Sequence, residues 1–64
     1  MSYKEWGRKL RRERKALGMT VEDLAHEARI SVITLYRLER GKNAPMRKTL
    51  EDIEKVISTR RAAR

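Results

Sequence analysis

The chain contains no cysteine, which excludes disulfides, thiolate metal sites and cysteine nucleophiles together. Aromatic residues make up only 5% of its 64 residues, so the core must be thin. A domain this short hides about 60% of its unfolded surface and has no room for a deep catalytic pocket. Apolar runs stay far below the roughly 20 residues that a membrane-crossing helix needs, and the N-terminus carries no hydrophobic signal region. His26 has no second histidine to share a metal with, and Ser31 and Thr34 lack a base partner for nucleophilic catalysis. From these absences we expect one soluble, cytoplasmic domain over residues 1–64, with no cofactor, no membrane partner and no enzymatic activity.

What is present in excess is positive charge. Lys and Arg number 17 against 9 Asp and Glu, a net charge of +8. Such a balance favours polyanionic partners, nucleic acid ahead of an anionic membrane surface. The charge is unevenly placed. Residues 1–19 hold seven basic and two acidic side chains, residues 20–39 two and four, and residues 40–48 four and none. A more neutral centre flanked by basic edges suits a module whose middle reads bases while its edges hold phosphates. Non-specific nucleic-acid binders are equally basic, so charge alone does not choose between them.

Helical periodicity runs through the whole chain, and the fold class it implies is all-α. Trp6, Leu10 and Leu17 fall near one face of a first helix from Tyr3 to Leu17, which Gly18 ends. Thr20 with Asp23 three residues on is a variant capping box, followed by the apolar stripe Val21, Leu24, Ala25 and Ala28 of a second helix over 21–28. Ser31 is placed to cap a third helix over 32–40 that turns Leu35 and Leu38 inward and stops at Gly41. The loop Lys42-Asn43-Ala44-Pro45 leads to a fourth helix carrying Leu50, Ile53, Val56 and Ile57 to about Arg60, after which residues 60–64 are expected to be flexible.

Two short helices joined by a tight turn are the layout of a helix-turn-helix, and residues 20–41 have it. The ordered set Leu10-Arg11, Arg14, Gly18-Met19-Thr20, Leu24-Ala25, Leu35, Leu38-Glu39-Arg40-Gly41-Lys42 and Pro45 resembles the Cro-type, Xre-like phage-repressor family over roughly residues 8–57. The resemblance implies a compact fold of four helices, or five, and a sequence-specific, repressor-like regulator that binds double-stranded DNA as a homodimer. It places Val32, Ile33 and Arg37 at base edges with Thr34 and Tyr36 beside them. It also pairs Arg14 with Glu39 as a largely buried ion pair. Phosphate contacts fall to Thr20 and Val21 at the start of the second helix, and to Arg40, Lys42, Asn43, Arg47 and Lys48. The dimer surface is expected on Leu50, Ile53, Val56 and Ile57.

Three departures from the family pattern bear on function. Val32 and Ile33 stand where Gln, Ser or Asn is usual, which shifts readout toward thymine methyl groups and leaves Arg37 as the principal polar reader. Val21 stands where Gln commonly touches the DNA backbone, so only its amide is available. Arg29 occupies a turn position that favours Gly, where a side chain at positive φ costs on the order of 1 kcal/mol. Other assignments stay open on sequence grounds. Val32 and Ile33 also suit partly buried core positions or a patch for a protein partner, such as an antitoxin or anti-repressor partner. Tyr36 suits ring packing as well as a phosphate contact, and most of the basic run Arg8 to Lys15 is expected in solvent.

Overall fold

The structure is a computed structural model and describes residues 2–63. It consists of α1 (Tyr3–Ala16), α2 (Val21–Ala28), α3 (Val32–Glu39) and α4 (Arg47–Ala62), with no strand among the described residues. The first three helices begin on side-chain caps that satisfy amides left unpaired at a helix start, each worth ~1 kcal/mol. Ser2 accepts from the Glu5 amide at 3.2 Å. Thr20 and Asp23 form the full reciprocal box, each side chain accepting from the other residue's amide at 3.0 Å. The Ser31 hydroxyl accepts from the Thr34 amide at 3.0 Å and donates to the Thr34 hydroxyl at 2.7 Å.

The same three helices end alike. One residue turns left-handed, and the next amide reaches back five residues: Met19 to the Arg14 carbonyl, Ile30 to Ala25 and Lys42 to Arg37. Gly18 and Gly41 fill two of these positions at φ 72°, which glycine adopts freely, whereas Arg29 adopts φ 60°. The α2–α3 turn therefore keeps the geometry of a glycine turn with an arginine in it.

Leu24, Leu35 and Ile53 are fully buried, and Leu10, Met19, Ala28, Leu38 and Ile57 complete the core with Ala25. Burial of each large apolar side chain contributes about 1.5–3 kcal/mol. Trp6, Leu17, Val21, Ile30 and Val56 pack at its edge. α3 lies against α1 and α2, and α4 against α2. Gly7 is buried where α1 crosses the end of α3, and a Cβ on it would overlap the Leu38 carbonyl oxygen.

Several boundaries differ from the sequence-based expectation. Leu17 and Arg40 serve as caps just outside α1 and α3. α4 runs on through residues 60–62, beyond the expected helix end at about Arg60, and two of these residues meet acidic partners on other helices. Arg60 pairs with Glu27 of α2, and Arg61 pairs with Glu13 of α1 at 2.6 Å. Residue 64 lies outside the described residues. The expected dimer surface is also divided: Ile53 and Ile57 are sealed in the core of their own domain, and only Leu50 and Val56 keep partial exposure.

Candidate nucleic-acid interface

α3 separates its residues cleanly. Leu35, Leu38 and Glu39 share the inward stripe, which leaves Val32, Ile33, Tyr36 and Arg37 on the outward one, with Thr34 also exposed. Val32 is 41% exposed, Ile33 63% and Tyr36 48%, values that remove the core reading of the two aliphatic residues. Among the described residues Arg37 makes no ion pair, so its guanidinium is available. Thr34 is less free, since its hydroxyl already accepts from Ser31. The Tyr36 ring lies under the Arg40 guanidinium, 4.5 Å from its carbon to the ring centroid. That stacking holds Arg40 beside the outward face.

The platform behind this face is the Arg14–Glu39 pair. The guanidinium grips the carboxylate in two places, Nε to Oε2 at 2.8 Å and Nη2 to Oε1 at 3.0 Å, and its Nη1 donates to the Met19 carbonyl at 2.9 Å. Both residues are only 7% exposed. One side chain thus joins α1, the turn before α2 and the end of α3. No buried side-chain nitrogen or oxygen among the described residues lacks a partner, so the pair is fully satisfied where an orphaned charge would be costly.

The phosphate candidates divide into groups. Arg40 and Lys42 converge with Val21 on a cleft that the α1 face bearing Lys4, Arg8 and Arg11 also lines. Val21 packs its side chain against the core and offers its backbone amide, while the Thr20 amide is already donated to Asp23. Asn43 and Arg47 are exposed, in the α3–α4 loop and the first turn of α4. Lys48 pairs with Asp52 at 3.3 Å and lines a separate groove with His26, Arg29 and Lys55. Sequence reasoning missed Lys4 altogether and did not separate Arg8 and Arg11 from their basic neighbours. The signal was their spacing of four and three residues, which makes one helical stripe.

Among the described residues two ionisable groups are perturbed. The Thr20 amide, then the Thr20 hydroxyl, hold the Asp23 carboxyl below its usual range. The hydrogen bond and charge of Glu27 hold the Arg60 guanidinium above its own. The first reinforces the start of α2 and the second the contact between α2 and α4.

Comparison with known proteins agrees with this geometry. The helix-turn-helix family profile matches residues 10–61, from the second half of α1 through nearly all of α4. The chain belongs to the Xre/Cro-like helix-turn-helix family. It is also 36% identical over 58 residues to the uncharacterized HTH-type transcriptional regulator YazB of Bacillus subtilis (strain 168), a match covering 91% of this chain and 84% of that protein. No solved structure matches. In this helix-turn-helix protein α2 and α3 are the two short helices joined by a tight turn, with α3 packed on α1 and α2 on α4.

Proposed function

We propose that this helix-turn-helix protein is a cytoplasmic, repressor-like transcriptional regulator that binds double-stranded DNA sequence-specifically, with α3 in the major groove. The observation that carries the reading is the outward face of α3, where Val32, Ile33, Thr34 and Arg37 stand clear of the core while Glu39 on the opposite side is locked to α1. Arg37 has the reach and geometry for a bidentate pair to guanine O6 and N7, worth ~1–3 kcal/mol of discrimination. Val32 and Ile33 offer methyl groups to thymine, so the half-site combines guanine with neighbouring thymine. A single domain makes few contacts. Binding to a two-fold operator as a homodimer supplies the rest, and the partly exposed Leu50 and Val56 of α4 are the remaining apolar candidates for its contact. No described helix is long and apolar enough to cross a membrane.

Selection from random duplexes tests the reading. It should return one half-site, bound roughly 10³-fold more tightly than unrelated DNA, and Arg37→Ala should flatten the preference at the guanine position. Uniform weakening without loss of preference would make Arg37 a phosphate ligand. The exposure of Val32 and Ile33 also supports a second reading, in which α3 docks on a protein. Absence of any duplex binding at low salt decides for that reading, and binding without preference decides for a non-specific nucleic-acid binder.

A further inference from the structure

Five cations line the cleft between α1 and the end of α3: Lys4, Arg8 and Arg11 from α1, and Arg40 and Lys42 from the end of α3 and the turn after it. Among the described residues none of the five forms an ion pair, whereas Arg14, Lys48, Arg60 and Arg61 all do. Glu39 is the one acid lining the cleft, and Arg14 already neutralises it through two hydrogen bonds. The concavity therefore gathers uncompensated positive charge. Like charges at this density repel, and an anion seated between them relieves the repulsion. The lining of the cleft separates these residues from Lys9, Arg12 and Lys15, none of which borders it. Positions 4, 8 and 11 form one stripe of α1, Lys9 is turned about 100° or more from all three, and Arg12 stands at the edge of the stripe, about 40° from Arg8.

We propose that α1 supplies a second rank of phosphate ligands, with Lys4, Arg8 and Arg11 joining Arg40 and Lys42 to hold the DNA sugar-phosphate backbone beside the stretch that α3 reads. The inference rests on the DNA-binding reading above. A duplex backbone is the anion the cleft fits, because its ends join surfaces already facing DNA in that reading. Its lining includes Val21 in the first turn of α2 and Tyr36 and Arg40, which adjoin Arg37 along α3. The residues assigned here carry no sequence information. They set affinity and register, and leave base choice to α3.

The test compares two double substitutions that remove equal charge from the same helix, Arg8→Gln/Arg11→Gln in the cleft and Lys9→Gln/Arg12→Gln outside it. Binding of the full chain to a short mixed-sequence duplex is measured across a salt series. The cleft pair should reduce the slope of log K against log salt by about 1–2, which is about tenfold or more in affinity at ~0.1 M salt. The outer pair should produce less than half of that change. All four residues are exposed, and a helix-band melt of each variant confirms that the fold is kept. Equal effects of the two pairs would mean that only the overall field matters, and this inference alone would fall. Failure of the parent protein to bind any duplex would overturn the DNA reading and this inference with it.

Discussion

Gly7→Ala sets two opposed effects against each other within one helix turn. Gly7 lies inside α1, where alanine is favoured over glycine by about 1 kcal/mol, so propensity alone predicts a gain. Packing predicts the reverse. A Cβ at this position would overlap the Leu38 carbonyl oxygen and lie 3.1 Å from that of Glu39. Both obstacles are backbone at the end of α3, so no side-chain rotation relieves them. Relief requires α1 and α3 to separate, which also strains the Arg14–Glu39 pair that joins them. Overpacking costs about 1–3 kcal/mol, and a rigid neighbour places this case toward the upper end. The net expectation is a loss of about 1–2 kcal/mol once the propensity gain is subtracted. In a domain of this size each kcal/mol moves Tm by about 4–8 °C, so Tm should fall by roughly 5–15 °C. Circular dichroism at the helix band measures it, with urea denaturation as an independent check. An unchanged or raised Tm would refute the close-approach argument and return Gly7 to the class of tolerated helix glycines.

Glu39→Ala leaves Arg14 buried without its carboxylate and should cost about 3–5 kcal/mol in urea unfolding, while Arg14→Met/Glu39→Leu should recover most of that loss; equal loss in both would point to shape rather than charge. Arg29→Gly relieves a non-glycine residue at φ 60° and should raise Tm by a few degrees, about 0.5–1 kcal/mol after the entropy of the added glycine, and a lower Tm would show that the arginine side chain contributes more than the strain removes. Acid weakens the capping box. The Asp23 carboxyl titrates lower in the folded chain than its ordinary 3.8, so its stabilisation is complete above that value and is lost as pH falls through the folded one. The urea midpoint of the parent should exceed that of Asp23→Asn near neutrality and converge with it in strong acid; a constant gap would separate Asp23 from the titration.

Local signals made much of this fold legible. The caps at Thr20 and Ser31, the stop at Gly41 and the inward stripe Leu35, Leu38 follow from spacing and turn chemistry, and α2 begins and ends where they predict. Resemblance supplied the Arg14–Glu39 pair, whose partners are 25 residues apart and carry no local mark. The misses share one cause, which is contact across long sequence separations. Residues 60–62 look like a loose basic tail until Glu27 and Glu13 are brought beside them. Ile53 and Ile57 look like an interface until α2 covers them. Met19 looks like a turn residue and is 3% exposed, and Gly7 is silent until α3 crosses it. The cleft needed both kinds of information, since the α1 stripe can be counted in the sequence but the residues that join it there cannot.

The division of α3 into an anchored side and an outward side also bears on how such a protein changes over time. Val32, Ile33 and Arg37 contribute little to the core, while Leu35, Leu38 and Glu39 hold the helix in place. If α3 reads DNA as proposed, substitutions in the first set alter what is read at almost no cost in stability, and those in the second alter whether the domain folds at all. A new binding preference is therefore reachable through single steps that each leave a folded protein. In this way α3 behaves as an interchangeable key on a fixed handle.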